Sequence, residues 1–255
     1  MAFTVDYLYN QGRHEKNNQA NINLTFDPAT GANLPYSVRT NRPFPGDGLI
    51  GQNYFMGWST LHSLNASFNK RLSHGWQGAI NYSLSGLWTA TGKPLMGVPG
   101  QEAVIVSFPL ADDLAGPYTF DVQDQRHRLV ANGIWEVWKG FQLSGYHYFG
   151  AGNRSGTNYG GDVRNVGTGG QGRLRPDGTI VKLNSFIQPV QNRTNVRFQQ
   201  RLTLPNRVRV DLIAEAFNLL NRANYTIGTQ ESSLQYKKPT AGQYRTMQFG
   251  FRFTF

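Results

Sequence analysis

The C-terminal segment of the chain alternates between two kinds of side chain with a period of two, and this pattern constrains the fold more than any other feature. One series is apolar and consists of Met247, Phe249, Phe251, Phe253 and Phe255. The residues between them are polar or small, and consist of Thr246, Gln248, Gly250, Arg252 and Thr254. Because successive side chains of a β-strand point to opposite faces, the segment is predicted to be a strand with one apolar and one polar face.

The same alternation recurs in pairs of segments that are joined by tight turns. The turns contain Ser73-His74-Gly75, Lys139-Gly140 and Leu204-Pro205-Asn206. A short turn between two alternating runs is typical of a β-hairpin. The predicted antiparallel pairs are 60–72 with 76–88, 125–138 with 141–150, and 195–204 with 207–217. A further strand is predicted at the start of the chain from Phe3, Val5, Tyr7 and Tyr9.

The connections between these hairpins are much longer than the turns within them. They cover residues 11–56, 90–123, 151–193 and 218–243 and are rich in Gly, Asn, Pro and Thr. Outer-membrane barrels combine short periplasmic turns with long extracellular loops in this way. Residues 1–255 are therefore predicted to be all-β, forming an antiparallel transmembrane β-barrel segment of about eight strands, in the bacterial outer membrane and in contact with its lipid.

The composition agrees with a barrel wall and excludes several other classes. The chain has 16 Phe, 12 Tyr, 5 Trp and only 16% charged residues, yet no run of apolar residues is long enough for a membrane-spanning helix. Trp76, Trp88, Trp135 and Trp138 lie near predicted strand ends, where aromatic side chains meet lipid headgroups. The apolar strand faces are therefore expected to be exposed in the isolated chain, because lipid covers them in the membrane.

The charge pattern and the first residues bear on partners and on export. The net charge is +10, but Lys and Arg are scattered without a basic run, so no nucleic-acid partner is expected. The chain contains no cysteine, which excludes thiolate chemistry. No secretory signal is visible at the start of the sequence, so export is expected to depend on a signal upstream of it.

No arrangement of residues predicts catalysis, a cofactor or a metal. The five histidines are dispersed, no Gly-x-Ser-x-Gly motif is accompanied by a His and an acid, and the glycines of 150–156 do not open a helix. Asp112, Asp113, Asp121 and Asp124 fit no known calcium loop and are interpreted as solvated loop charges. The chain is therefore predicted not to be an enzyme and to bind no cofactor.

Charged residues of both signs alternate with apolar ones in the last strands. Arg197, Arg201 and Arg209 are expected to pair with Asp211 and Glu215 across the polar face.

Four stretches occur in the order and spacing of one family of outer-membrane barrels. They are Asn69–Gly75, Asp124–Arg128 followed by Gly140–Gly145, Val210–Tyr225, and Gln248–Phe255. The third is similar to a penultimate-strand signature, E-x-F-N-x-x-N-x-x-N-[FY], and the fourth to a closing strand with a terminal Phe. Together they resemble the C-terminal portion of a TonB-dependent receptor of the Oar-like type. The signature positions are Asp124, Arg126, His127, Arg128, Glu215, Phe217, Asn218, Asn221 and Asn224.

This resemblance implies a function and a set of partners. Members of the family import a bound ligand through a 22-stranded barrel filled by an N-terminal plug, using energy from an inner-membrane complex. The sequence shows neither a plug nor an energy-coupling box, so it is expected to be a fragment or a split reading frame. Its partners would be the remaining strands and plug of the parent receptor, the energy-coupling complex through that parent, and an unidentified ligand.

The residues leave two other classes of barrel as alternatives. A small structural or adhesive outer-membrane barrel would close on itself at eight strands and have no transport role. A soluble lipocalin-like barrel would need its apolar strand faces inside, which the aromatic faces and the terminal Phe disfavour.

The terminal strand is also expected to act as a barrel-assembly signal. Resemblance to other barrel C-termini implies that the insertion machinery recognises Met247, Phe249, Phe251, Phe253 and Phe255. An exposed strand edge can accept strand addition, and the apolar side chains would supply specificity. Deleting Phe255 is therefore expected to lower insertion more than replacing Thr254.

Overall fold

The computed structural model describes residues 1–16, 20–90, 92–107, 116, 118–164, 172–205 and 208–255. Eight long strands dominate it, and each has at least the roughly 9 residues that a tilted strand needs to cross a bilayer. Their bounds are β1 (Ala2–Glu15), β4 (Gly57–Ser73), β5 (Trp76–Ala90), β9 (His127–Trp138), β10 (Phe141–Gly150), β13 (Gln191–Thr203), β14 (Arg209–Phe217) and β17 (Thr246–Thr254).

The long strands form one antiparallel sheet in sequence order, β1-β4-β5-β9-β10-β13-β14-β17. The three predicted hairpins are confirmed within the described residues, since β4 pairs with β5, β9 with β10 and β13 with β14. The third turn includes Asn206 and Arg207, which lie outside the described residues. In the described part of the chain, β1 pairs only with β4 and β17 only with β14, so both edges of the sheet are open.

In the described parts of the long connections, for which the sequence predicted only irregular structure, there are nine shorter strands. They are β2 (Ala20–Asn21), β3 (Gly51–Gln52), β6 (Leu95–Met96), β7 (Val104–Ile105), β8 (Tyr118–Phe120), β11 (Arg154–Ser155), β12 (Phe186–Ile187), β15 (Asn224–Ile227) and β16 (Pro239–Gln243). Except for β8, which pairs with β5, they form two-stranded antiparallel sheets, β2 with β3, β6 with β7, β11 with β12 and β15 with β16. A 3-10 turn covers Arg39–Asn41. The predicted bounds 11–56 and 151–193 were too wide, because β1 runs to Glu15 and β13 begins at Gln191.

One face of the sheet is apolar and exposed, as the alternation predicted. On the edge strand, Phe249, Phe251 and Phe253 are 82%, 73% and 59% exposed. Val208 and Val210 on the neighbouring segment are half-buried. An apolar surface of this extent needs an apolar environment, which a soluble barrel with its apolar faces inside would not require.

The opposite face carries polar side chains that pair across the strands. Arg201 Nε lies 2.8 Å from Asp211 Oδ1, and Arg197 Nη1 lies 3.4 Å from Glu215 Oε1. Both expected pairs are therefore present, whereas Arg209 lies opposite Thr203 and Thr254 in the register of its neighbouring strands. Because the ion pairs join neighbouring strands, they reinforce the register that the backbone ladder defines.

The turn between β4 and β5 contains only His74 and Gly75. Both have positive φ angles, 51° and 75°. Positive φ at both central residues is the signature of a type I′ turn, whose twist matches that of the flanking strands. At the same end of the sheet, Gly140 has a φ of 73° in the turn between β9 and β10. The tight turns therefore all occur at one end of the strands and the long connections at the other.

No helix in the described ranges is both long enough and apolar enough to cross a membrane.

We expect Gly75→Ala to destabilise the β4–β5 hairpin. Its positive φ is unfavourable for any residue with a Cβ, and a Cβ there would lie 3.2 Å from the Glu136 carbonyl oxygen. The expected loss in the free energy of unfolding is about 1–2 kcal/mol, measured by urea titration in lipid vesicles. Gly48→Ala is the matched control, because a Cβ at Gly48 meets nothing within 4 Å. Equal stability of both variants would contradict the type I′ assignment.

Candidate functional site: the loop layer above the sheet

The four long connections pack together above the end of the sheet opposite the tight turns, and we call them the loop layer. Loop 1 joins β1 to β4, loop 2 joins β5 to β9, loop 3 joins β10 to β13, and loop 4 joins β14 to β17. Most of the buried apolar side chains of the described residues lie here: Leu24, Leu95, Leu174 and Val181. Phe26, Val106 and Ile180 pack against this core. The main hydrophobic core is therefore formed by loops 1, 2 and 3, and the sheet contributes little to it.

Asn23 fixes the conformation of loop 1 from its centre. Its side chain is completely buried. The amide nitrogen donates to the carbonyl oxygens of Phe44, Asp47 and Gly48 at 2.8–3.2 Å, and the amide oxygen accepts from the Phe44 N–H at 2.8 Å. One side chain thus bonds to four backbone groups, and it adds to the bonds that the Phe44 and Asp47 carbonyls accept from the Asp47 N–H and from Arg42. Loop 1 is ordered by this network, although it contains little regular structure.

Arg164 places a half-buried cation between loops 1 and 3. Its guanidinium donates to the Gly31 carbonyl at 3.4 Å and lies 5.7 Å from the centre of the Phe26 ring. Burial, with a smaller contribution from the positive charge of Arg173, lowers the pKa of Arg164 to about 10. The side chain is still protonated at neutral pH, because this pKa lies well above 7. Arg164 therefore places a positive charge between loops 1 and 3 at neutral pH.

An ion pair joins loop 3 to loop 4. Arg175 donates from Nε and Nη2 to the two carboxylate oxygens of Glu231 at 2.6 and 2.9 Å, which is the bidentate geometry. These hydrogen bonds lower the pKa of Glu231 and raise that of Arg175. Backbone bonds run alongside the pair, from the N–H groups of Glu231 and Ser232 to the carbonyls of Asn158 and Tyr159. The two loops therefore form one connected unit.

Asp124, the first of the signature positions, is buried and completes the hydrogen bonding of β5. Its Oδ1 accepts from the Leu87 N–H at 2.9 Å, and Oδ2 lies 3.5 Å from Arg154 Nε. The interpretation of Asp124 as a solvated loop charge was therefore wrong. The chain detours between β8 and β9 at this point, so a carboxylate takes the place of the missing backbone carbonyl beside β5.

The three residues after Asp124 in the signature have separate environments. Arg126 lies 5.0 Å from the centre of the Phe120 ring. His127 Nδ1 is 2.8 Å from the Tyr82 hydroxyl on the neighbouring strand. Arg128 is exposed and lies opposite Ser83 and Gly150 in the register of β9. The structure thus places these residues along the top of β9 and does not bring them together as one site.

The asparagines of the second signature fasten loop 4 to the strands. Asn218, which has a φ of 52°, accepts from the Arg222 N–H and donates to the carbonyls of Arg222 and Gln243, all at 2.9–3.0 Å. Asn221 accepts from the Arg245 N–H at 3.1 Å, and Asn224 from the Asn192 N–H at 2.7 Å. The spacing of the signature therefore reflects the positions at which backbone groups need partners as strands β13, β14 and β17 end.

The remaining predicted residues lie on β14 and β17. Glu215 accepts from Arg197 and from the Gln248 amide, so it links three neighbouring strands on the polar face. Phe217 is the last residue of β14 and is half-buried. Met247, Phe249, Phe251 and Phe253 line the apolar face of β17, and Phe255 follows that strand fully exposed. Their role as a barrel-assembly signal stays a prediction.

No group of three or more His, Cys, Asp or Glu side chains with the geometry of a metal site occurs in the described residues. Asp112 and Asp113 lie outside them. Asp121 accepts from the Gln123 N–H at 2.8 Å and from the Thr89 hydroxyl at 3.1 Å. In this position Asp121 closes a local turn.

The sequence did not single out the residues that build the loop layer. Asn23, Arg164, Arg175 and Glu231 lie in no periodic pattern, and their partners are distant in the chain. The Arg175–Glu231 pair, for example, spans 56 positions. The available signal was weak: acidic and basic residues occur within loops that are otherwise rich in Gly, Asn and Pro.

We expect Asn218→Gly to loosen loop 4 without straining the backbone, since glycine tolerates the positive φ of this position. The Arg222 amide and the Gln243 carbonyl would lose their partners, which predicts a loss of about 1–3 kcal/mol in the free energy of unfolding. Hydrogen exchange at the Arg222 amide should accelerate. Asn221 also has a positive φ, but Asn221→Gly removes only one exposed hydrogen bond. This variant should therefore lose less free energy of unfolding than Asn218→Gly. A larger effect of Asn221→Gly would contradict the assignment.

We expect the link between loops 3 and 4 to weaken in acid. Because the folded-state pKa of Glu231 is lowered, its contribution is complete above the ordinary glutamate pKa of about 4.3 and is lost as the pH falls through the lowered value. Protection of the Glu231 and Ser232 amides from hydrogen exchange should fall over that range. Glu231→Gln should show low protection at every pH. Glu102→Gln, which removes an exposed carboxylate of loop 2, is the control and should show the wild-type pH profile. An identical pH profile of protection for Glu231→Gln and wild type would reject the prediction.

Comparison with known proteins gives one family. A family model described as "Outer membrane beta barrel domain" matches residues 1–178. The match covers β1 to β11 and loops 1 and 2 completely, together with much of loop 3. Neither a curated protein nor a solved structure matches the chain.

Proposed function

This chain belongs to the family of outer membrane beta barrel domains, and we propose that it forms part of the wall and outer surface of a TonB-dependent receptor that captures a ligand and imports it. Its location is the bacterial outer membrane, with the tight turns on the periplasmic side and the loop layer outside. In this role the protein is a transport component and not an enzyme. Its partners would be the plug, the other strands of the receptor and the inner-membrane complex that supplies energy.

The observation that carries this proposal is the pair of open sheet edges on β1 and β17. Within hydrocarbon, an unpaired row of N–H and C=O groups is very unfavourable, so both edges require further strands. Additional strands would produce a wider barrel than eight strands allow, with a lumen that can hold a plug. A small structural barrel closed at eight strands would instead pair β1 with β17.

The polar face supports the same function. It holds the pairs Arg201–Asp211 and Arg197–Glu215, whose side chains would project into the lumen. A lumen lined with charged groups and amides can contact a plug through many exchangeable hydrogen bonds. This surface suits a domain that must move when energy is supplied.

The loop layer supports a role in ligand capture. Loops of this length in a compact protein usually carry function. Here the described parts of loops 1, 2 and 3 share a core, and Arg175 and Glu231 tie loop 3 to loop 4. A preorganised surface loses less conformational entropy on binding than a set of flexible loops does.

The experiment uses the absence of cysteine from residues 1–255, and labelling is compared with that of the parent receptor without either substitution. Leu234 in loop 4 is 87% exposed, and Lys139 lies in a periplasmic turn. In intact cells that express the parent receptor, a bulky membrane-impermeant maleimide should modify Leu234→Cys. The modification should reduce the energy-dependent uptake of solutes from the medium. Uptake is measured by mass spectrometry as the depletion of each solute from the medium. Lys139→Cys should be modified only after lysis and should leave uptake unchanged.

The controls separate location from transport. A protonophore and deletion of the gene should abolish depletion of the same solutes. If Leu234→Cys is labelled as expected but no solute depends on the gene, the location is correct and the transport proposal is wrong. Labelling of Lys139→Cys in intact cells would contradict the orientation itself.

A further inference from the structure

A row of glycines crosses the apolar face of the sheet near its periplasmic end. Gly78 on β5 lies opposite Gly133 on β9, which lies opposite Gly145 on β10, and Gly145 in turn lies opposite Val196 on β13. Because glycines have no side chains, the row forms the floor of a groove. Lipid can therefore approach the backbone more closely at this row than at the neighbouring rows, where side chains cover it.

Larger side chains border the groove on both sides. Two residues toward the turns on the same face are Trp76, Trp135 and Leu143, and two residues toward the loops are Ile80, Ala131 and His147. The space between them is about 800 Å³ and its surface is mainly apolar. This volume lies within the range of about 300–1,000 Å³ that is typical of small-molecule sites.

We propose that this groove binds one acyl chain of a phospholipid from the periplasmic leaflet of the outer membrane. The row lies two residues beyond Trp76, the first residue of β5 after the His74-Gly75 turn. Two residues correspond to about 7 Å along a strand, so the groove is just inside the hydrocarbon on the periplasmic side. Phospholipid acyl chains are the molecules that surround the barrel at that depth.

The dimensions fit a single chain. The groove crosses the three gaps between β5, β9, β10 and β13, which is about 15 Å at the usual strand spacing. One leaflet of the hydrocarbon core is also about 15 Å thick, which is the reach of one acyl chain. Strand tilt turns the groove obliquely to the membrane normal, so a bound chain would lie tilted between the two rows of side chains.

Gly145 offers a substitution that fills the groove without disturbing the sheet. A Cβ at Gly145 would meet no heavy atom within 4 Å, whereas a Cβ at Gly133 would lie 3.2 Å from the Gln77 carbonyl oxygen. Gly250 on the polar face of β17 is the matched control, because a Cβ there also meets nothing within 4 Å. Gly145→Leu and Gly250→Leu thus add the same side chain to opposite faces.

The test titrates phosphatidylethanolamine with dibrominated acyl chains into the receptor, purified from outer membranes and freed of lipid in detergent. Bromine quenches tryptophan fluorescence on contact, and Trp76 and Trp135 form one side of the groove. Wild type and Gly250→Leu should show quenching that saturates at one lipid per protein molecule. Gly145→Leu should weaken this binding by about tenfold or more, because leucine displaces several methylenes from apolar contact. Heat-modifiable migration on gels checks that both variants are folded.

Three results would overturn the proposal. Quenching that rises without saturation would mean ordinary solvation by lipid. Equal binding by Gly145→Leu and wild type would place the lipid elsewhere. A change in oligomeric state with Gly145→Leu at unchanged lipid binding would make the groove a contact between copies. If Gly145→Leu fails to fold, the wild-type protein decides the question. Brominated lysophosphatidylethanolamine, which has one acyl chain, must then give quenching that saturates at one lipid per protein molecule. It must also compete with the lipid that has two acyl chains.

Discussion

Pairing of backbone hydrogen bonds in a medium without water is the constraint on which the rest of this structure depends. Within the membrane each N–H and C=O of a strand must meet a neighbouring strand. The six inner long strands have neighbours on both sides in simple sequence order, whereas β1 and β17 each have one open edge. Where the ladder stops, side chains replace backbone partners. Asp124 accepts from Leu87, and Asn224 accepts from Asn192. The signature residues thus continue the strand pairing into the loops.

A second consequence is the separation of the wall from the hydrophobic core. The wall exposes its apolar side chains, as Phe249 and Phe251 do on β17, because lipid covers them. The loop layer lies in water and must be stabilised as a small soluble domain is, by burying Leu24, Leu95 and Leu174. Apolar side chains are therefore exposed on the wall and buried in the loop layer, and the change occurs where the long strands end.

The local part of this structure could be predicted from the sequence, and the nonlocal part could not. Alternation with a period of two identified the long strands and their faces, and two-residue turns such as His74-Gly75 fixed the hairpins. Asn23 illustrates what was missed, since its contacts with Phe44 and Gly48 depend on how loop 1 folds back on itself. Resemblance pointed to Asp124, but its burial follows from the detour between β8 and β9, which no local pattern reveals.

The open edges of β1 and β17 connect the wall to the function. A sheet whose polar face bears paired charges, such as Arg201 with Asp211, cannot turn that face toward lipid, so the face must line an enclosed lumen. In the proposed receptor, strands added at the open edges would complete this enclosure. The wider the barrel becomes, the less its own side chains can fill the lumen, and a separate plug is then needed to keep it closed. Loops 1 to 3 already share a core above this wall. In the proposed receptor, ligand capture and closure of the pore would therefore belong to different parts, and this chain would contribute the wall and the capturing surface.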